Sequence, residues 1–281
     1  METQAQIGRL FRVLRKNRIS FIGIILAFLI TAIAMIAPLI SDNPNEQHVL
    51  RQYEPPSLSH LFGTDEYGRD VFARVVWGAR ISLLVGVLSV FLALVFGVAI
   101  GVIGGYKGGV IDEIILRVVD IFMSFPILVL GLFVLAVMGS GISRVIMAIA
   151  LAMTPRVARL VRGTTLSLKE MQFIQAARAI GQRDSKIIFF HILPNVVGDV
   201  IVMGALWVGT AILVESSLSF VGLGISPPTP SWGAIIRDGL DHLRNAPHIP
   251  ISAGLAIFVT VFSFNLVADG LRDISDPKLR G

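Results

Sequence analysis

An all-α integral membrane protein of six transmembrane helices is the fold that the sequence predicts. Three observations lead there. Of the 281 residues, 54% are hydrophobic and only 15% charged; the mean hydropathy is +0.77; and the apolar residues lie in long uninterrupted runs. An ordinary soluble domain carries about 25% charged residues, so a water-soluble enzyme is the wrong class.

Each span follows from length and charge. A crossing helix needs roughly 20 apolar residues, each adding about 1.5 Å against about 30 Å of hydrocarbon. Segments 19–40, 81–104, 121–138 and 251–268 qualify, with Asp120 at the edge of the third. Segment 196–216 is long enough although Asp199 and Glu215 stand near its ends. The first span is read as an uncleaved anchor, because its apolar run is too long for a signal peptide.

Segment 142–155 is short and carries Arg144, and the charge distribution decides in its favour. With six spans, Arg9, Arg12, Arg15, Lys16 and Arg18 fall inside, then Lys107 and Arg117, then the dense group from Arg156 to Lys186, then Arg272, Lys278 and Arg280. Removing the doubtful span would put the dense group outside, against the positive-inside bias. Both termini are therefore expected in the cytoplasm. The domains expected are a basic segment 1–18, the first span 19–40, an outer loop 41–80, a core 81–268 with a cytoplasmic loop 156–195, and a tail 269–281.

The net charge of +5 could suggest a nucleic-acid binder. Because the basic residues sit between apolar runs, they read as topology signals, and no nucleic-acid partner is expected. There is no cysteine, which removes disulfides and thiolate chemistry. His48, His60, His191, His242 and His248 form no HExxH motif and no i, i+4 pair, so they are read as solvated loop residues and no metal site is expected. Asp199 and Glu215 are either proton-relay carboxylates or interfacial groups.

Gly97, Gly101, Gly105 and Gly109 recur every four residues, a spacing that lets helix backbones approach closely. They form either a face for a sister subunit or packing within the bundle, with the second preferred. Lys107 lacks the flanking residues of a P-loop, and no nucleotide-binding signature occurs elsewhere, so any ATP must be bound by another polypeptide. In the loop 156–195, apolar residues at 171, 174, 177 and 181 draw one stripe down a short helix. Gly181 ends it, and a second helical stretch, 185–192, is expected to stop at Leu193-Pro194. An amphipathic helix on such a loop has to lie on the membrane or dock in a partner's groove, and its Ala and Gly favour a protein.

That loop resembles the EAA motif of binding-protein-dependent ABC transporter permeases: Gln175-Ala176-Ala177, Gly181, His191 and Leu193-Pro194 keep its spacing, with Gln175 replacing Glu and His191 replacing Ile. Two more stretches are similar to the C-type permeases of peptide and nickel importers. One runs over 61–70, with Gly63, Thr64, Asp65, Gly68, Arg69 and Asp70, and continues into 78–83; the other comprises 215–224 and 227–233. The resemblance extends over essentially the whole chain from the first span onward.

It implies a type I ABC importer permease fold, in a bacterial or archaeal cytoplasmic membrane, with the EAA helix acting as a coupling helix. The implied partners are a sister permease subunit, two ATPase subunits that hold ATP and Mg, an extracytoplasmic solute-binding protein and membrane lipid. Neither catalysis nor a cofactor is expected in this chain. Gln175, Ala176, Ala177, Gly181, Leu193 and Pro194 would carry the ATPase coupling. Peptide is the expected cargo, with nickel or another small solute as the alternative. An autonomous proton-coupled transporter working through Asp199 and Glu215 is the reading from another class.

Overall fold

The computed structural model describes residues 18–275. The basic segment before Arg18, and Lys278 and Arg280 of the expected tail, lie outside the described residues. The described chain is helical: α1 (Arg18–Ile40), α2 (Val71–Lys107), α3 (Gly109–Met123), α4 (Ile127–Met138), α5 (Ile142–Lys169), α6 (Gln172–Ala179), α7 (Asp184–Ile187), α8 (Leu193–Val221), α9 (Trp232–Leu240) and α10 (His248–Ser275). A 3-10 turn, Val49–Arg51, and a π turn, Ile188–Ile192, complete it. Thr64 and Asp70 make an isolated β-bridge.

By length and composition, α1, α2, the run Asp184–Val221 and α10 could each cross a bilayer. On α1, Phe28, Met35 and Leu39 are at least 70% exposed, as suits a helix whose solvent is hydrocarbon. The expected third span is not one helix. α3 and α4 meet at 90°, because Pro126 has extended backbone (φ −56°, ψ 140°) and a residue before proline, here Phe125, is driven away from helical geometry. Twelve residues of α4 rise only about 18 Å, so α4 alone is too short to cross, and the bent pair has the form of a broken span or a re-entrant loop.

α2 begins at Val71 rather than 81, because the Asp70 carboxylate accepts a bond from the Ala73 N–H at 2.7 Å and caps it there. Its first turns bury Val71, Ala73, Val75 and Val76. α5 likewise runs past Pro155, where the expected span stops, to Lys169. Proline costs a helix interior about 3 kcal/mol, but Val157, Ala158 and Val161 just beyond it are buried, and that packing prevails.

The stretch 185–192 also fails to stop at Leu193-Pro194. The Leu193 N–H donates to the Ile188 carbonyl in the π turn, and Pro194 then occupies the first turn of α8, where a missing N–H costs nothing. Asp184–Val221 is thus one continuous helical run.

The glycine stripe is spent inside the chain, on the contact between α2 and α5. A Cβ on Gly97 would lie 2.3 Å from Val157 Cβ, one on Gly101 2.6 Å from the Ala158 carbonyl, and one on Gly105 2.8 Å from Thr165 Cβ. Both residue numbers rise together, so the two helices run parallel. Gly109, by contrast, meets nothing and is left-handed, with φ +56°. Gly101→Leu should therefore lower the thermal unfolding midpoint of the purified protein, overpacking costing about 1–3 kcal/mol or more. Gly163→Ala, where a Cβ meets nothing, should leave it unchanged or raise it, since alanine favours a helix by about 1 kcal/mol.

Candidate functional site

The residues singled out by sequence gather at opposite ends of α2. At its C-terminal end, α6 is an eight-residue helix, too short to be stable by itself. Ile174 and Ala177 are buried and anchor it to the body of the chain. Within the apolar stripe Ile174 and Ala177 are therefore an internal anchor while Met171 is exposed, and the outward face mixes Gln172, Gln175, Ala176 and Ala179 with the exposed Phe173 and Ile180.

Gly181 ends α6 with φ +75°. Its N–H donates to the Arg178 carbonyl and that of Gln182 to the Ala177 carbonyl, the paired bonds of a Schellman cap. Nothing lies within 4 Å of a Cβ at Gly181, so the left-handed backbone, rather than space, calls for glycine. The Arg178 guanidinium lies 5.0 Å over the Tyr106 ring, and the Tyr106 hydroxyl donates to Asp184 at 2.7 Å. The last turn of α2 is thus tied to both sides of Gly181. His191 Nε2 meets Gln182 Oε1 at 3.1 Å. Leu193 is half-buried and Pro194 exposed. Beside them Arg162 grips Asp112 of α3 through two bonds of 2.5 and 2.6 Å.

At the N-terminal end of α2, the segment 61–70 closes around Asp65, whose side chain is 1% exposed. Its carboxylate accepts from Arg69 Nε at 2.7 Å, Arg74 Nη1 at 2.5 Å, and the backbone N–H groups of Tyr67 and Arg69 at 2.9 and 3.0 Å. Arg74 Nη2 reaches Asp238 of α9 at 3.3 Å. Thr64 bridges the Arg51 carbonyl and the Glu54 N–H. Gly63 and Gly68 have φ +72° and +69°, and a Cβ on Gly68 would lie 1.9 Å from the His48 carbonyl. All six motif residues therefore serve one buried polar knot that seats the outer loop on α2.

Of the five histidines read as solvated, His48 is exposed, whereas His60, His242 and His248 are half-buried in this scaffold. His60 Nδ1 bonds Asp70 at 2.8 Å, and His248 Nε2 faces the Thr64 carbonyl at 3.3 Å. Burial, with the Glu66 and Asp65 carboxylates close by, pushes the Tyr53 phenol up, and its hydroxyl meets His242 Nε2 at 2.8 Å. Among the described residues no group of three His, Cys, Asp or Glu could hold a metal.

Glu215 lies inside the helix bundle. It is fully buried, accepting from Ser82 of α2 and Ser219 at 2.8 Å each, and from Ser216 at 3.4 Å. Asp199 is exposed, and the two share no chain of bonds. Trp232, also buried, donates from Nε1 to the Val75 carbonyl at 2.9 Å. The partners that sequence reasoning missed, Arg74 with Asp238, Tyr106 with Asp184, and Ser82 with Glu215, are distant in the chain and carry no local signal. Removing one member of the knot by Asp65→Ala should destabilise the protein by about 3–5 kcal/mol, because two buried guanidinium groups lose their anion. Glu215→Gln, which keeps an acceptor, should retain more thermal stability than Glu215→Leu, which leaves three serines unanswered.

Comparison with known proteins adds a separate line. Residues 97–281 match the family described as binding-protein-dependent transport system inner membrane component. Residues 6–56 match the N-terminal transmembrane domain of oligopeptide transport permease C. The dipeptide transport system permease protein DppC of Alkalihalophilus pseudofirmus is 41% identical over 271 residues, 96% of this chain and 89% of its own. The glutathione transport system permease protein GsiD of Pectobacterium atrosepticum is 45% identical over 82% of this chain and 76% of its own; that of Escherichia coli O6:K15:H31 is 42% identical over 96% and 90%. In three dimensions the chain is similar to the inward-facing MetNI methionine ABC transporter, with TM-score 0.59 at 20% identity over 72% of this chain and 97% of that one.

Proposed function

The chain belongs to the binding-protein-dependent transport system inner membrane component family, and from that membership we infer that it is the permease subunit of a peptide-importing ABC transporter. The observation that carries this is 41% identity to a dipeptide permease along 96% of the chain. Glutathione, the cargo in the names of other relatives, is itself a small peptide. Nickel is the alternative: of the outer histidines on which it rests, His60, His242 and His248 are engaged within the scaffold and His48 is exposed beside Glu46.

In this reading the chain crosses the membrane six times, through α1, α2, the bent pair α3–α4, α5, α8 and α10. The parallel course of α2 and α5 supports it, since alternate passages run the same way only if the bent pair crosses between them. Both termini and α6 then face the cytoplasm, and 41–80 faces outward. The chain divides accordingly into 1–18, 19–40, an outer loop that ends at 70 rather than 80 because α2 starts at Val71, a core to 268 and a tail 269–281.

A sister permease completes the pathway, two ATPase subunits hold ATP and Mg, and a solute-binding protein delivers the peptide from outside. α6 is the coupling helix of the EAA motif. Gln175, Ala176 and Gly181 offer the outward contact, Ala177 and Ile174 hold the helix to the body, and Leu193 and Pro194 lead into α8. A push on α6 passes through Arg178, Tyr106 and Asp184 to the end of α2. No chemistry on the peptide is required of this chain.

The test is co-expression with the genomic neighbours, purification through a tag on this chain, and assay of ATP hydrolysis stimulated by peptide-loaded binding protein. A stoichiometric ATPase with stimulated turnover is the expected result. Solute uptake by this chain alone without ATP would overturn the reading in favour of the proton-coupled alternative. In the assembled complex, Ala176→Asp should lower stimulated ATPase activity and uptake at least about tenfold, equivalent to about 1.4 kcal/mol of lost contact. Because Ala176 is exposed, membrane insertion should be unaffected.

A further inference from the structure

Among the EAA-motif positions, His191 alone has no part in the path of a push on α6. It is half-buried and lies in the π turn Ile188–Ile192, between Ile187 and Ile192, which are both fully buried. A π turn carries one residue more than α-helical geometry needs. That residue rotates the side chains before it by about 100° against those after it, and the imidazole leaves the line of α8 for α6.

The ring meets α6 at both ends. Near the N-terminal end, the Phe173 ring lies 6.3 Å away and is tilted by 57°, within the range of interacting aromatic pairs. Past the C-terminal end, Gln182 Oε1 lies 3.1 Å from His191 Nε2. A carboxamide oxygen can only accept, so Nε2 carries the hydrogen and donates it. Gln182 is itself fixed to α6, because its N–H donates to the Ala177 carbonyl at 3.0 Å. On the far side of His191, Asn195 Nδ2 donates to the His191 carbonyl at 2.6 Å and fastens the π turn to the first turn of α8.

α6 is too short to be stable by itself, so a push on it travels only through the side chains that grip it. Arg178, Tyr106 and Asp184 lead to the end of α2. Gln182, His191 and Asn195 lead to α8. The polar groups of Gln182 and His191 answer each other, which makes them a joint within the chain.

We propose that His191 is a positioning residue for coupling: by gripping both ends of α6 and the start of α8, it delivers a push on α6 directly to α8, alongside the route to α2. This role presupposes that α6 is the coupling helix. The isoleucine that the EAA motif carries at this position could pack against Phe173 but has no hydrogen to donate to Gln182. The direct route is therefore particular to the pair His191 and Gln182.

The experiment uses the purified complex, assayed for ATP hydrolysis with binding protein carrying a mixture of dipeptides and tripeptides. His191→Leu, which keeps apolar bulk without a donor, should lower the stimulated kcat about fivefold at an unchanged KM for ATP, as loss of one ordinary hydrogen bond allows. Gln182→Leu should do the same, and the double variant should be no worse than either, because the two residues share one bond. His191→Gln should restore most of the stimulation, since its amide N–H stands as many bonds from Cβ as the imidazole Nε2–H. A purely structural role would instead lower the thermal unfolding midpoint and the amount of co-purifying ATPase in step with activity, and would overturn the proposal. So would full stimulation in both leucine variants, additive losses in the double variant, or a His191→Gln variant as impaired as His191→Leu. Absence of stimulation in the unaltered complex would overturn the coupling reading itself, and the role of His191 with it. Gln182→Leu, outside the π turn, decides the matter even if His191→Leu does not assemble.

Discussion

Everything that the chain positions hangs on the backbone contact between α2 and α5. Three glycines on α2 leave no room for a Cβ against Val157, Ala158 and Thr165, so the two helices meet almost main chain to main chain. Between helices in lipid there is little hydrophobic driving force, and close van der Waals packing takes its place. The 37 residues of α2 then make a rod of about 55 Å, longer than the hydrocarbon core, with both ends projecting to where polar groups can be used.

Those two ends are built from different forces. At one, Asp65 holds two guanidinium groups and two backbone N–H groups in a buried knot, and Arg74 extends it to Asp238 on α9. Breaking such a cluster is costly because the remaining charges stay buried. The exposed pair Arg117–Glu113, 75% and 61% exposed, contributes little by comparison. At the other end a cation–π contact and one hydrogen bond hold α6 and α7 to Tyr106. Buried Ile174, Ala177 and Ile187 add apolar anchorage at that end, so one end of α2 is secured by buried charge and the other by packing with a few polar ties.

Glu215 shows the same economy of polar groups within the bundle. Its carboxyl is answered by serines from two helices, and Ser219 also accepts the Ile225 N–H at 3.2 Å. α2, α8 and the turn after Gly222 are thereby joined at one point. This is a packing device with a polar core, and Asp199, exposed at the far end of α8, takes no part in it.

Hydrophobic runs determined that the chain is helical and membrane-embedded, because crossing hydrocarbon demands length and internally satisfied backbone, and both can be read residue by residue. Short-range chemistry was legible too. Gly181 as the end of α6 depends only on neighbours a few positions away. Tertiary structure alone decided the rest. It bent the expected third span at Pro126, carried α5 past Pro155 and α8 back through a π turn, and turned Ile174 and Ala177 inward. It also paired Asp65 with Arg74, Arg74 with Asp238, and Tyr106 with Asp184. Local rules set what a proline or an apolar stripe prefers by a few kcal/mol, and packing against helices distant in the chain supplies as much again. Only the assembled bundle could show which preference prevailed.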